Sequence, residues 1–263
     1  MRLADVLNVL EELAPLRYAE SWDNVGLLVG DPRVDIAKVM VTVDYTAAVA
    51  DEAVAFGASL VVAYHPPLFA SVKRVPHDAP WADAVRRGIA LYSPHTALDV
   101  ARAGTNDFLG DACGMHATER RPLRPHASRA ERKEPDGIGL GRIGATDLTR
   151  AELVAQLKTR LELGYVLVAG PPDGGAGQVA VAAGAGGELL EDAIAAGADV
   201  FVTGEVRHHD ALGAARRGVT VIATLHSNSE RAAVRCYAAR LAARLPTVDV
   251  APSVQDRDPF SIL

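Results

Sequence analysis

The feature of this sequence that most constrains its fold is an alternation of apolar strands and amphipathic helices that occurs twice. The first copy runs strand, helix, strand, helix, strand over 38–44, 50–57, 59–64, 81–88 and 89–93. The second copy repeats that order over 178–184, 188–197, 199–204, 210–218 and 219–225. Helices between strands rich in Val, Ile and Ala predict parallel strands joined by right-handed crossovers and covered on both faces. The sequence therefore predicts an α/β fold with two similar lobes.

The two copies also match residue by residue, which favours an internal duplication. AVAFGASLVVAYH at 53–65 aligns with AIAAGADVFVTGE at 193–205, and AVRRGIALYSPH at 84–95 aligns with AARRGVTVIATL at 214–225. Turns from helix through glycine to strand look alike in many α/β proteins, so two unrelated βαβ runs are the alternative.

Two further helices complete the predicted domain organisation. Apolar residues recur at helical spacing between Leu3 and Leu13 and predict a helix that ends before Pro15. Thr149 and Glu152 form a capping box before a second helix. We therefore expect lobe 1 at 1–108, a loop or connector at 109–137 and lobe 2 at 138–263.

Charge and hydropathy narrow the class of protein. The net charge of −6 argues against a general nucleic-acid-binding protein, because neutralising a phosphate backbone requires a basic surface. The stretch 120–133 is a local basic exception, either a solvated loop or an electrostatic lip for an anionic substrate. No apolar run is long enough to span a membrane and no secretion signal is evident, so we expect a cytoplasmic protein. Cys113 and Cys236 stand in no metal-type or redox-type spacing and are expected to be free thiols.

Side chains with metal-binding chemistry follow three of the predicted strands. His65 follows the second strand of the first copy, Asp99 comes after its third strand, and His226 and Glu230 follow the last strand of the second copy. The binding crevice of an open α/β sheet lies outside the carboxyl ends of its strands. Imidazole and carboxylate without thiolate suit zinc, manganese or iron, and a shared carboxylate allows two ions about 3.5–4 Å apart. The sequence therefore predicts a pair of divalent metal ions. Hydrogen bonding, capping or helix-dipole roles for the single residues are the alternative.

Several other polar residues have two interpretations each. Asp44 ends the first strand and either supports a ligand or forms a turn. His208 and His209 either line the cavity or precede a helix that Asp210 caps. The glycine-rich stretch 182–190 is a candidate phosphate cradle, although Glu188 already places a negative charge at that helix end.

Five motifs carry a resemblance to a known family. They are SWDNVGLLVGDP, YHPPLF, SPHTALD, TGEVRHHDAL and LHSNSER. In order and spacing they closely resemble the Nif-three-like family, whose bacterial members are often labelled GTP cyclohydrolase I type 2 homologues. The likeness spans most of the chain, apart from about 110–175. It implies a two-lobed α/β subunit, a ring-shaped homohexamer and a dinuclear metal centre facing the central cavity. Larger relatives carry an inserted middle domain, for which this chain has too few residues.

The resemblance also assigns ligands position by position. The metal ligands of the family fall on His65, Asp99, His226 and Glu230. Many relatives have a further histidine where this chain has Tyr64, and the YHPP variant resembles the eukaryotic-type branch. A phenol, whose reference pKa lies near 10, is a poor ligand. One of the two ions is therefore expected to bind more weakly, or to be completed by water, by His95 or by Glu205.

The chemistry that two such ions best support is hydrolysis. Glu230 or His95 would then move protons as catalytic residues. The family label implies GTP as the substrate, and another nucleotide or phosphorylated compound fits the same chemistry. The alternative is a non-catalytic metal-binding scaffold or metal store, for which Tyr64 in place of a histidine is support.

Overall fold

The computed structural model describes residues 1–126 and 137–262. Part of the predicted connector and part of the basic stretch therefore lie outside the described residues. The chain forms two compact units. Unit 1 consists of Met1–Leu98 with Val234–Pro259, and unit 2 consists of Asp99–Ala233 with the C-terminal residues from Phe260. Among the described residues, no helix is long and apolar enough to cross a membrane.

The elements follow the predicted alternation. The helices are α1 (Leu3–Leu13), α2 (Ala47–Phe56), α3 (Pro80–Arg87), α4 (His95–Val100), α5 (Thr105–Ala112), α6 (Arg150–Leu161), α7 (Leu190–Ala195), α8 (His208–Arg216) and α9 (Arg231–Arg244). The strands are β1 (Gly26–Val29), β2 (Lys38–Thr42), β3 (Leu60–Ala63), β4 (Ala90–Ser93), β5 (Arg121–Pro125), β6 (Gly139–Ala145), β7 (Leu167–Ala169), β8 (Gln178–Ala182), β9 (Val200–Thr203), β10 (Thr220–Ala223) and β11 (Asp249–Pro252). Short 3-10 helices span Leu16–Tyr18, Gly186–Leu189 and Ser227–Ser229.

Unit 1 contains a five-stranded sheet in the order β1-β4-β3-β2-β11. The strands β2, β3, β4 and β11 are parallel, and β1 pairs antiparallel with β4. Alternate residues of β2 enter opposite cores: Val39 and Val41 pack with α1 and α9, whereas Met40 packs with α2 and α3. The sheet is thus covered on both faces, as its nearly continuous apolar strands predict.

Unit 2 contains a six-stranded sheet in the order β5-β6-β8-β9-β10-β7. The strands β8, β9 and β10 are parallel, while β7, β6 and β5 are added antiparallel. Val181 packs with α5 and α6 on one face, and Phe201 packs with α7 and α8 on the other. The predicted α/β class with two similar lobes is confirmed.

The repeat extends further than the two aligned copies. In each unit a helix and an antiparallel strand precede the βαβαβ unit, α1 and β1 in the first and α6 and β7 in the second. In both, this antiparallel strand pairs with the third strand of the βαβαβ unit, β4 in unit 1 and β10 in unit 2. His95 and Leu225 occupy aligned positions, and both have a positive φ, 26° and 71°. Shared pairing and shared backbone strain support an internal duplication.

The domain boundaries differ from the prediction. Residues 99–108, which the sequence analysis assigns to lobe 1, belong to unit 2. Two further differences concern lobe 2 and the connector. Residues 234–259, which the sequence analysis assigns to lobe 2, belong to unit 1, because β11 pairs with β2 and Leu241 packs in the core beside α1. The connector is not wholly a loop, since its residues 121–125 form β5 against β6. Strand pairing distant in sequence decides both points, and local patterns do not report it.

Candidate metal centre

The turn after β10 places the two predicted ligands of unit 2. Leu225 takes a left-handed backbone conformation with φ of 71°, and a 3-10 turn over Ser227–Ser229 follows. The amide of Asn228 donates to the carbonyl of Thr224 at 3.0 Å, and the Ser229 hydroxyl donates to the carbonyl of His226 at 2.6 Å. These local bonds fix the direction in which His226 leaves the strand.

His226 lies between two carboxylates. Its Nε2 is 3.4 Å from Oε1 of Glu230, and its Nδ1 is 3.1 Å from Oε1 of Glu205. The Glu230 side chain is 2% exposed and that of Glu205 is 53% exposed. A buried carboxylate is costly unless a positive or hydrogen-bonding group compensates it, so Glu230 occupies a position suited to a cation.

Gly184 explains how the imidazole and the buried carboxylate come so close. Its φ is +63°, and a Cβ at this position would collide with Oε1 of Glu230 and lie 3.2 Å from Nε2 of His226. The Gly184 amide donates to the Ser229 hydroxyl at 2.8 Å, which holds the loop against the turn. The glycine-rich stretch therefore makes room for the two side chains.

The cavity next to this loop does not favour the phosphate-cradle interpretation. Three carboxylates line it, from Glu188, Glu205 and Asp210, against the guanidinium of Arg207. A phosphate there would meet net negative charge, whereas a cation would be attracted.

His65, the predicted ligand in unit 1, follows β3 and is also held by a carboxylate. Its Nδ1 is 2.9 Å from Oδ1 of Asp44. A carboxylate on one ring nitrogen fixes the tautomer and leaves the other nitrogen available to a metal. Of the two interpretations of Asp44, the structure shows the contact with the candidate ligand.

Tyr64 and His95 lie next to His65, at ring-centroid distances of 5.0 and 5.5 Å. Tyr64 is 2% exposed and belongs to the core of unit 1 together with Tyr92. Tyr64 is therefore a buried core residue whose ring also contacts the rings of His65 and His95.

The sequence analysis missed Asp23, which supports His95. Its Oδ1 is 2.8 Å from Nδ1 of His95, and the Thr96 amide donates to its Oδ2 at 3.1 Å. Burial opposes ionisation of Asp23, but the hydrogen bonds with His95 and Thr96 outweigh burial and lower its pKa. Its place in the SWDN motif was the available signal, but nothing in that motif indicates a partner 72 residues away.

Four other predicted residues have simpler positions. The Asp99 carbonyl accepts a hydrogen bond from the Asn106 amide at 3.1 Å. His208 and His209 are exposed, and their rings are 5.2 Å apart. The predicted cap is wrong, because Arg207 is the N-cap of α8 and Asp210 lies within its first turn. A helix can begin as soon as the backbone turns, without a capping side chain.

Three of the four predicted ligands, His65 in unit 1 and His226 and Glu230 in unit 2, offer donor atoms that could hold a metal ion. They offer two imidazole nitrogens and one carboxylate oxygen, a donor set that suits zinc, iron or manganese. Within the described part of the chain, Asp99 does not belong to this group. Its role as a ligand stays a prediction.

Fold and side chains together define a class, an α/β protein with two sheets and a candidate His/Glu metal site at strand ends. The sequence model of the Duf34/NIF3 (NGG1p interacting factor 3) family matches residues 1–259. The chain belongs to this family, and the resemblance inferred from the five motifs is confirmed.

Known proteins match over most or all of the chain. The NIF3-like protein 1 of Drosophila melanogaster is 37% identical over 239 residues, which cover 88% of this chain and 78% of that protein. The GTP cyclohydrolase 1 type 2 homolog of Clostridium perfringens is 29% identical and is covered completely, as is this chain. The crystal structure of a hypothetical protein from Staphylococcus aureus superposes with a TM-score of 0.87 at 26% identity, covering 100% of this chain and 99% of that one.

Proposed function

We propose that this protein binds a divalent metal ion through His65, His226 and Glu230 and uses it to hydrolyse a nucleotide or another phosphorylated compound. The observation that carries the proposal is the pairing of His226 with the buried Glu230 at 3.4 Å above Gly184. Gly184 has no side chain that would cover the donor atoms of His226 and Glu230. A pair of metal ligands needs this space beside its donor atoms, whereas an ion pair that only stabilises the fold does not.

The donor set fits a divalent ion. Asp44 holds His65 and Glu205 holds His226, so each imidazole has a carboxylate on one nitrogen. This arrangement is common for metal-binding histidines and raises their basicity. A divalent cation, when bound, supplies Lewis acidity for hydrolysis. Glu230 or His95 would accept or return the proton of the attacking water.

A second ion is a further part of the proposal. Asp99 would bind it, with His95 or Glu205 completing its ligands in place of the histidine that Tyr64 replaces. Zinc, iron and manganese all suit such oxygen and nitrogen donors. We further propose that the subunits assemble as a ring-shaped homohexamer in the cytoplasm.

GTP is the first substrate to test, because relatives from Clostridium perfringens and Streptomyces coelicolor are named GTP cyclohydrolase 1 type 2 homologs. A non-catalytic metal-binding scaffold or metal store is the second candidate. Tyr64 supports it, because a phenol is a poor metal ligand in the position where the family resemblance implies a histidine.

The test compares His226→Ala with His116→Ala in protein purified without a histidine tag. His116 is a partly exposed histidine of the same unit that contacts Asp147. Elemental analysis after loading with zinc, manganese or iron(II) should show one equivalent fewer in His226→Ala and no loss in His116→Ala. Equal metal content in both variants would overturn the metal site.

Turnover of GTP and a panel of nucleotides distinguishes the two candidates. The hydrolase proposal expects product from the metal-loaded protein and none from His226→Ala. Full metal loading without turnover of any nucleotide in the panel favours the scaffold.

A further inference from the structure

Unit 1 leaves two large aromatic side chains exposed next to each other. Trp22 is 60% exposed and Phe69 is 54% exposed, and their ring centroids are 6.1 Å apart. Rings of this size contribute strongly to packing when they are buried. Two of them placed together at the surface indicate a surface that a ligand covers.

His95 lies within the same aromatic cluster. Trp22 and Phe69 approach it edge to face, at centroid distances of 6.2 and 6.5 Å. Tyr64 packs against it at 5.6 Å in the same geometry. The imidazole therefore contacts Trp22, Phe69 and Tyr64, and the first two of these side chains are exposed.

A buried carboxylate fixes the orientation of the His95 ring. Asp23, whose side chain is fully buried, contacts Nδ1 at 2.8 Å. The backbone of His95 has a φ of 26°, a region that a non-glycine residue occupies only when its surroundings impose it. An ionised carboxylate can only accept, so Nδ1 is the donor. In the neutral ring, Nε2 is then a hydrogen-bond acceptor.

We propose that Trp22, Phe69 and His95 form a ring site, which binds a planar heteroaromatic ring that carries an N–H group, as nucleobases do. The two exposed rings supply faces for stacking, which is tolerant of sequence and base identity. Nε2 of His95 supplies an acceptor for the N–H at the ring edge. Asp23 is a positioning residue that sets this acceptor.

The ring site rests on the proposed function for its role, since it would hold the base of the compound that is hydrolysed. His95 and His65 have ring centroids 5.5 Å apart, so a base held here would lie beside a candidate metal ligand. Binding of the base itself requires no metal. Failure of the ring site and failure of the metal site can therefore be told apart.

The experiment measures binding of guanosine and adenosine in the presence of EDTA. The chain contains two tryptophans, and Trp81→Phe leaves Trp22 as the fluorophore. Saturable quenching by both nucleosides, with none by ribose 5-phosphate, is the expected result. Quenching that rises linearly with nucleoside, or quenching by ribose 5-phosphate, would overturn the ring site.

A matched pair of variants from one loop sharpens this test without relying on Trp22 as reporter. Phe69→Ala removes a stacking face, and Val72→Ala trims another exposed apolar side chain, 51% exposed. Equilibrium dialysis with labelled guanosine should show binding weakened about 5- to 150-fold in Phe69→Ala, from the usual stacking contribution of one base. Val72→Ala should bind as the unaltered chain does. Equal affinity in the two variants would contradict the proposal.

Discussion

The strand ends of the two units have the same backbone plan, but different side chains surround their histidines. In unit 1, Asp44 holds His65, and aromatic side chains surround the neighbouring His95. In unit 2, His226 lies between two glutamates above a glycine-rich loop. The comparison teaches that duplication preserved the position of the candidate site while the residues there diverged. The first copy surrounds a histidine with aromatic rings, and the second places a histidine between two carboxylates beside a glycine-rich loop.

The largest expected effect is on metal binding, and it concerns Gly184. Unit 2 has this glycine after β8, where unit 1 has Asp44 after β2. Gly184→Ala should abolish metal binding, because the new Cβ would displace Glu230 and His226. Gly197→Ala is the matched control: its φ is also positive, at 85°, but nothing lies within 4 Å of the added carbon. Each variant should lose about 1–2 kcal/mol of unfolding free energy from backbone strain. Metal titration by calorimetry measures the first difference and denaturant unfolding the second.

If Gly184→Ala and Gly197→Ala keep the same metal affinity, Gly184 is needed only for its backbone conformation. The proposed closeness of ligand atoms to the loop would then be wrong.

An intermediate effect tests whether the carboxylate behind each histidine has the same role in both units. Asp44→Asn and Glu205→Gln each remove the charge behind one imidazole while preserving size. Each should weaken metal binding about 10- to 100-fold, as is usual for carboxylates that orient metal-binding histidines. Competition with a chelating dye measures the affinity.

Weakening in one variant alone would mean that the two histidines are not supported alike. Unchanged metal affinity in both variants would show that Asp44 and Glu205 do not orient His65 and His226 for a metal ion.

The smallest effect tests the assignment of the C-terminal segment to unit 1. Glu52 accepts hydrogen bonds from the amides of Val254 and Gln255 after β11. Burial raises the pKa of Glu52. The hydrogen bonds from Ser253, Val254 and Gln255 together lower it by more, so the net shift is downward. The stabilisation is present above the ordinary pKa of the carboxyl, 4.5, and is lost as the pH falls through the lowered value.

Glu52→Gln should therefore reduce the free energy of unfolding by no more than about 1 kcal/mol at pH 7, since the carboxylate is partly exposed. The difference from the unaltered chain should shrink as the pH falls through the lowered pKa of Glu52 and vanish in more acidic solution. Urea unfolding at several pH values measures it. A difference that persists in acid would show that the carboxylate charge is not responsible.

The periodic part of the fold was predictable from the sequence because local chemistry determines it. Strands such as 38–44 and 199–204 were located to within two residues, since short apolar runs between helices leave few alternatives. The pairing of β11 with β2 was not predictable, because it joins segments about 210 residues apart and has no local signal. The strand β5 has the sequence RPLRP, and its two prolines make it resemble a loop. It becomes a strand because it pairs with β6.

For the candidate site, residue types at strand ends identified His65, His226 and Glu230. The sequence did not reveal Asp23 as the partner of His95, nor Gly184 as the residue that accommodates the ligand pair. Both roles depend on distances between segments, and a lone aspartate or glycine has many uses. The exposed aromatic pair was also missed, since Trp22 and Phe69 have no periodic relation in the chain.

The most direct test of the central claim is anomalous diffraction at the absorption edge of the loaded metal, on crystals of the protein purified without a histidine tag. The account predicts an anomalous peak about 2.0–2.2 Å from one nitrogen of His65, one nitrogen of His226 and a carboxylate oxygen of Glu230. A well-occupied peak elsewhere, for example between His208 and His209, with none beside Glu230, would contradict it.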